Sequence, residues 1–436
     1  MHVVIVGAGQ VGRSIAHELQ HDHDVVVVER SPARIELIDP YDVMSIRGNG
    51  ASIKTLKEAG VGRADLVIAS TDVDEVNMVA CAASKHLGNP FTIARVHDPD
   101  YIESWEPGDF GVDFMVCSEL ITAKAIGQLI GVPAARGVHT FAKGKITTAE
   151  LAVDPSSPLA GRPIEELDLP SSLRIVSLIR QGEVVIPSGE DTIEPGDLVV
   201  SVGIPEALGE LNRRAGGRPM AENIVILGGG RIGFRLAQTL QQRGLRPKLV
   251  EAGAERSRWL AEQLPHCQVF QSDATDLAFL EHERFGTYDV GISVMDRDER
   301  NLLSALLLKT LGVKKVIAGV AEPDYAEVFE RVGVDVAVSA RKVVAEEIIR
   351  FTRRRIAGLS TIEGNRAEIL EMEVSPESPL VGVDLQDAHF PSGATIGAIV
   401  RGNRVIIPGG EDALHIGDLV IVFSRKSAVA EVEDLL

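Results

Sequence analysis

The chain has 436 residues, enough for two to four domains at roughly 100 to 200 residues each. Apolar residues make up 45% and charged residues 25%, but aromatics only 4%, so valine, isoleucine, leucine and alanine must build the cores. With 44 Lys plus Arg against 63 Asp plus Glu, the formal charge of −19 repels nucleic acid and anionic lipid headgroups, and no nucleic-acid partner is expected.

Cys81, Cys117 and Cys267 stand in no C-x-x-C or metal-ligand spacing and read as free thiols of a reducing cytosol. No stretch approaches the ~18 uninterrupted apolar residues of a membrane span, and the chain starts in a strand pattern without a basic leader. The expectation is a soluble protein with no direct membrane insertion, whose membrane role, if any, runs through a partner. One basic run, Arg350 with Arg353, Arg354 and Arg355, departs from the acidic background and is given no function.

The first predicted element, Val3 to Val6, is a β-branched run that feeds Gly7-Ala8-Gly9-Gln10-Val11-Gly12 and then a helix from Val11 to Gln20. A glycine loop in this strand-to-helix setting can hold a pyrophosphate. Gly7 permits the tight turn, Gly9 lets phosphate approach backbone amides, Gly12 lets helix and strand pack closely, and the helix presents its positive end. A second strand, Val25 to Val28, closes on Glu29, placed where an acidic residue reaches a ribose hydroxyl pair. Its carboxylate favours a free 2′-hydroxyl, while Arg30 beside it leaves that preference open; the alternative for Glu29 is a solvated strand end.

Next come a strand Leu66 to Ala69, the turn Ser70-Thr71-Asp72, a helix Asp74 to Leu87 and a strand Thr92 to Val96. Ser70 and Thr71 fall at the carboxyl edge of the sheet, where such folds bind ligands, or they cap the Asp74 helix. Arg95 ends its strand on the same edge and meets either a phosphate or a surface carboxylate. Beyond Val138 the texture changes. Arg174 to Arg180 and Glu183 to Pro187 flank Gln181-Gly182, and Pro195-Gly196-Asp197 precedes Leu198 to Val202, which is the turn chemistry of a compact α+β module.

The whole pattern then repeats. VVIVGAGQVG from Val3 returns as IVILGGGRIG from Ile224, so Gly228, Gly229, Gly230, Arg231, Ile232 and Gly233 form a second glycine loop. Glu251 matches Glu29, Asp298-Glu299-x-Asn301 matches Asp74-Glu75-x-Asn77, Ser378-Pro379-Leu380 matches Ser157-Pro158-Leu159, and Ile416-Gly417-Asp418 matches Pro195-Gly196-Asp197. The expected organisation is two doubly wound Rossmann-like parallel-sheet domains, residues 1–138 and 220–362, each followed by a small α+β module, residues 139–219 and 363–436. Boundaries fall near Pro133 to Val138, at Arg213 to Pro219 and near Ala357 to Asn365. The two halves differ in charge: Gln10 becomes Arg231 and Arg95 becomes Gly319, so the two pockets should hold nucleotides differently.

Hydride transfer needs a positioned acid or base and a substrate clamp. His97 with Asp98 is the one candidate, and the second half carries Ala321-Glu322 there. There is no nucleotide-hydrolysis loop G-x-x-x-x-G-K-[ST], no G-x-S-x-G elbow and no H-E-x-x-H. No catalytic residue and no metal site are assigned, and binding with signalling is preferred over the alternative, a soluble NAD-dependent oxidoreductase.

The order of domains and the segments MHVVIVGAGQVG, DEVNMVAC from Asp74, IARV from Ile93, ILGGGRIG from Ile226 and GAIVRGN from Gly397 resemble the TrkA family of potassium-uptake regulators over essentially the whole chain. The resemblance implies two regulator-of-potassium-conductance units per chain and a homo-oligomeric, tetrameric ring. It also implies docking on the cytoplasmic side of a TrkH/TrkG-type membrane channel. The nucleotide contacts it implies are Gly7 to Gly12, Glu29, Ser70, Thr71 and Arg95 in the first half, holding NAD(H). In the second half they are Gly228 to Gly233, Glu251, Val294 and Met295, holding ATP/ADP or NAD(H). Val294 and Met295 lack the hydroxyls of Ser70 and Thr71, and Gly319 lacks the Arg95 charge, so the second set departs from the family pattern for NAD(H).

Overall fold

The central runs of valine, isoleucine and their neighbours are apolar on both faces, the pattern of strands covered by helices on two sides. The computed structural model describes residues 1–132, 135–214, 221–322, 325–349, 351, 356–362 and 366–436. The basic run at 350 and 353–355 and parts of all three expected boundary segments lie outside the described residues. The first sheet-and-helix layer contains β1 His2–Val6, α1 Gln10–Leu19, β2 Asp24–Glu29, α2 Pro32–Glu36, β3 Met44–Arg47, α3 Ile53–Glu58, β4 Leu66–Ala69, α4 Asp74–Gly88, β5 Phe91–Val96, α5 Pro99–Ser104, β6 Phe114–Cys117 and α6 Ser118–Gly131. Its strands run parallel in the order β3-β2-β1-β4-β5-β6, so the order reverses between β1 and β4 and opens a crevice at their carboxyl ends. Val3, Val4, Ile5 and Leu66, Val67, Ile68 are fully buried there.

The following module holds β7 Ala135–Phe141, β8 Ile146–Ala152, β9 Arg162–Pro163, β10 Leu173–Arg180, β11 Glu183–Val185, β12 Thr192–Ile193, β13 Leu198–Gly203 and α7 Pro205–Arg214. Five of its strands make an antiparallel sheet ordered β11-β10-β13-β8-β7.

The second layer repeats the first with β14 Ile224–Leu227, α8 Arg231–Gln242, β15 Lys248–Glu251, α9 Ala254–Gln263, β16 Gln268–Gln271, α10 Leu277–His282, β17 Val290–Ser293, α11 Asp298–Leu311, β18 Lys315–Val320, α12 Tyr325–Arg331, β19 Val336–Ser339 and α13 Ala340–Ile349. Its order, β16-β15-β14-β17-β18-β19, is the same. The last module, β20 Ile356–Ile362, β21 Ala367–Glu373, β22 Ala394–Arg401, β23 Arg404–Ile406, β24 Leu419–Arg425 and α14 Val429–Leu435, repeats the antiparallel sheet as β20-β21-β24-β22-β23. The fold is therefore two parallel-sheet Rossmann-like domains, each followed by a strand-rich module.

The chain divides into two compact units, residues 1–124 with 225–352 and residues 125–224 with 353–436. Within the first unit the two Rossmann-like domains meet directly: α1 packs on α13, and Phe351 stacks at 5.4 Å on Phe91 and 4.3 Å from Phe114. Within the second, the modules share one core of Phe141, Val176, Val202, Ile369, Ala398 and Phe423.

The repeated Gly-Asp turns are explained by a buried brace. Arg401 donates from Nε and Nη2 to Asp418 at 2.9 and 2.7 Å, and Asp418, only 2% exposed, also accepts the His415 amide at 2.9 Å. Arg180 and Asp197 make the same fork at 2.9 and 2.8 Å in the earlier module. Burial alone would raise the Asp418 carboxyl, but Arg401 and the His415 amide outweigh it and hold it below the usual carboxylate range. A group lowered in the folded state stabilises above its unfolded pKa, and that contribution disappears as pH falls through the folded value. Asp418→Asn should therefore cost about 2 kcal/mol at neutral pH, discounted for the partly exposed Arg401. Urea melts of both proteins should begin to converge below pH ~4 and meet below the lowered folded value; a gap that persists unchanged at low pH would refute the brace.

Candidate functional site

Each glycine loop sits in its crevice for the reason its sequence suggests. Gly7 has φ of +105°, a left-handed turn that a side chain would strain, and its amide closes on Val28 O at 2.8 Å. A Cβ on Gly12 would lie 1.9 Å from the Gly7 carbonyl oxygen, so helix and strand can approach only through glycine. Gly9 differs. It caps α1 in extended backbone, and a Cβ there would meet nothing nearer than Arg34 Nη1 at 3.8 Å and Asp72 Oδ1 at 3.9 Å. Here the loop has room for a side chain, with the first-turn amides of α1, which include those of Gln10 and Val11, unclaimed by the helix. In the second loop Gly228 has φ of +110°, a Cβ on Gly233 would lie 1.9 Å from Gly228 O, and a Cβ on Gly230 would meet nothing within 4 Å.

Glu29 is buried at 7% exposure, and its position is set by amides. Oε2 accepts Ala8 N at 2.8 Å, and Oε1 accepts Arg30 N at 2.7 Å and Ser31 N at 2.8 Å. Glu251 does the same for Gly229 N at 2.9 Å and Gly253 N at 2.7 Å. These glutamates thus tie the glycine loop to the end of the second strand, and each carboxylate oxygen still has acceptor capacity towards a ligand. The alternative of a solvated strand end does not describe them, and substituting Glu29 will also loosen the loop.

Ser70 and Thr71 lie opposite the loop, Ser70 fully buried with its amide on Val6 O at 2.8 Å. The capping role expected as their alternative is absent: the N-cap of α4 is Val73, without a side-chain cap. Thr71 instead donates from Oγ1 to Asn77 Oδ1 at 2.7 Å. In the second half Val294 is buried, and Met295 takes the place of Thr71, its amide on Asn301 Oδ1 at 2.6 Å.

Arg95 reaches the same edge, donating from Nε to Ser118 Oγ at 2.8 Å and standing 4.0 Å from Asp72 Oδ1. Asp72 also takes Arg34 Nη2 at 3.0 Å. Arg34 and its counterpart Arg256 are functional candidates that the sequence reading missed. Both stand on the helix after the glutamate, at the same distance beyond Glu29 and Glu251, and this equal spacing was the available signal. Arg256 donates from Nε to Gly229 O at 2.8 Å and lies over the Trp259 ring at 4.2 Å. Arg231 opens α8, two-thirds exposed, 3.8 Å from Glu119 at the start of α6. In the first half the matching Gln10 donates to Glu322 at 2.6 Å, which is paired with Arg341 at 2.7 Å.

His97, the sole acid–base candidate, is bound to Asp74 through Nδ1 at 2.7 Å, and Asp74 also accepts the amides of His97 and Asp98. The matching Asp298 holds the amides of Ala321 and Glu322 without any histidine. The shared element is the brace of the turn after β5 and β18; the histidine is an addition to it.

The sequence pattern of the TrkA-N domain matches residues 3–118 and 224–340, and that of the TrkA-C domain matches residues 148–216 and 369–436. The chain belongs to the TrkA family. A protein named Trk system potassium uptake protein TrkA homolog 1 from Methanosarcina mazei is 38% identical over 99% of both chains. The Trk system potassium uptake protein TrkA of Azorhizobium caulinodans is 32% identical over 100% of this chain and 98% of its own. Among solved structures, the fold matches the GsuK RCK domain at 21% identity with a TM-score of 0.63, covering 100% of this chain and 94% of that one. It also matches the GsuK channel bound to NAD at 21% identity with a TM-score of 0.64, covering 100% of this chain and 78% of that one. The full-length relatives are named as potassium-uptake proteins of the Trk system. Among the described residues no helix is long and apolar enough to cross a membrane.

Proposed function

We propose that this chain is the cytoplasmic, nucleotide-binding regulatory subunit of a TrkH/TrkG-type potassium-uptake channel, assembled as a tetrameric ring beneath it. The observation that carries the reading is the pair of glycine loops, each tied by a glutamate, buried Glu29 or half-buried Glu251, in one chain whose full-length relatives are named for potassium uptake. Gating requires only that a nucleotide bind the conducting and closed shapes of the ring unequally. Potassium flux through the reconstituted complex should change on adding NAD, NADH, ATP or ADP. Flux indifferent to all four would overturn the reading. So would steady substrate-dependent turnover of the cofactor that His97→Ala abolishes, which would favour an oxidoreductase.

The two sites are assigned different ligands: NAD(H) to residues Gly7 to Gly12, Glu29, Ser70, Thr71 and Arg95, and ATP or ADP to Gly228 to Gly233, Glu251, Val294 and Met295. The support is electrostatic. Burial holds the Arg256 guanidinium below its ordinary value, Glu251 opposes this, and the charge of Arg231 adds a smaller lowering, so two cations stand at the second loop. A phosphate-rich ligand relieves that repulsion and gains charge-assisted contacts. Because α1 packs on α13, the assignment is best tested in the full chain, with one loop blocked at a time by Gly9→Val or Gly230→Val. With the first loop blocked, Arg231→Gln should weaken ATP binding about 10- to 100-fold, a loss of ~1.5 to 3 kcal/mol. Equal affinity for NADH and ATP at both loops, or no effect of Arg231→Gln, would sink the assignment.

A further inference from the structure

We propose that Asp72 is a built-in competitor for ligand phosphate at the first glycine loop and sets that pocket's preference for ligands of low phosphate charge. The inference rests on reading this loop as a nucleotide site and concerns how the site discriminates. A pyrophosphate must come to the open face of Gly9, and two groups flank that face: Arg34 Nη1 at 3.8 Å and Asp72 Oδ1 at 3.9 Å from a Cβ built there. Two guanidiniums at this edge, Arg34 and Arg95, both face the same carboxylate, at 3.0 and 4.0 Å. Asp72 therefore stands where it shares the cations a phosphate would use. Its side chain is 59% exposed, so the pair is weak and a ligand can displace it, but displacement leaves an anion beside the bound phosphates. That repulsion grows with each further negative charge the ligand carries.

The second loop lacks the device. Asp296 is the counterpart of Asp72, since both stand two residues before the repeated Asp-Glu at the start of α4 and α11. It is exposed and forms no ion pair among the described residues. The counterpart of Arg34, Arg256, is held by the Gly229 carbonyl and the Trp259 ring instead of a carboxylate. The position of Arg95 is Gly319. The same aspartate is thus coupled to phosphate-reaching cations in one half only, and the halves separate by charge before any ligand enters.

The test uses the full chain carrying Gly230→Val, so that calorimetry reads the first loop, with NADH, ADP and ATP as probes. Asp72→Asn keeps the size and a hydrogen-bonding oxygen for Arg34 while removing the charge. ATP should then bind about tenfold tighter and NADH at most about threefold tighter, with ADP between them, and the gains should shrink in ~0.5 M salt. An equal change for all three ligands, or weaker binding of ATP, overturns the proposal. Gly9→Val in the same background separates the two levels of failure. If it abolishes binding while Asp72→Asn leaves the ATP-to-NADH ratio unchanged, the competitor role alone falls. If it leaves binding intact, the site itself lies elsewhere and both readings fall.

Discussion

Replacing Gly9 with valine is expected to abolish nucleotide binding at the first loop while the fold stands, whereas alanine at Gly12, three residues on, is expected to break the loop. The two glycines belong to one loop and differ entirely in what surrounds them. Gly9 has φ of −63° and ψ of −176°, which any residue adopts, and a Cβ there makes only ordinary contacts at 3.8 and 3.9 Å. The valine methyl groups would occupy the open face above the α1 amides, which is the space a pyrophosphate needs. Affinity for NADH at this loop should fall about 100-fold or more, with the urea midpoint near that of the unaltered protein. At Gly12 the added Cβ would sit 1.9 Å from Gly7 O and 3.0 Å from Ser70 Oγ. Gly7 cannot yield, because its own φ of +105° fixes that carbonyl in the turn. Separating α1 from β1 should cost about 3 kcal/mol or more. A Gly12→Ala protein as stable as the original, or a Gly9→Val protein with undiminished NADH affinity at the first loop, would refute these roles for the two glycines.

Such features were legible because they are local or repeated. A β-branched run, a glycine loop and a helix follow one another within twenty residues, and their second copy from Ile224 removes the ambiguity a single copy carries. Predicted strands and helices agree with the structure to within a residue or two: Val11 to Gln20 against Gln10–Leu19, and Asp74 to Leu87 against Asp74–Gly88. Less visible were elements without a strong pattern. Strand β3 is a short edge strand with mostly exposed side chains, so its apolar content does not announce it. Least legible were residues whose role depends on what the fold brings opposite them. Arg34 and Asp72 are separated by several elements of the first domain yet make an ion pair across the glycine loop. Glu119 and Arg231 belong to different halves of the chain. That α1 would find α13 is likewise written in no local periodicity, because an amphipathic face specifies burial but not its partner. Asn77 and Asn301 stand out in the sequence only as markers of the repeat, although they hold both sites together.

Asn77→Ala is therefore expected to destabilise the protein by about 3 kcal/mol and to weaken nucleotide binding at the first loop as well. Asn77 is fully buried on α4, and its amide is saturated. Oδ1 accepts Thr71 N at 2.8 Å and Thr71 Oγ1 at 2.7 Å, while Nδ2 donates to Thr71 O at 3.0 Å and Arg95 O at 2.8 Å. One side chain thus binds the turn after β4 to the end of β5, the two segments that carry Thr71 and Arg95 to the crevice. Asn301 repeats the arrangement with Met295 N at 2.6 Å, Met295 O at 3.2 Å and Gly319 O at 3.0 Å. Alanine leaves these part-buried backbone groups without that partner, and an unsatisfied group costs more than the hydrogen bond contributed. Aspartate should be worse than alanine, because its second oxygen would replace a donor facing two carbonyls. The loss at the ligand should be specific to the half that is altered: Asn77→Ala lowers nucleotide affinity at the first loop, and Asn301→Ala lowers it at the second. Urea denaturation gives the stability and calorimetry in the loop-blocked backgrounds gives the affinities. A stability loss with both affinities unchanged would show that the clamp supports the sheet alone; an aspartate variant as stable as the original would mean that Nδ2 does not face the two carbonyls.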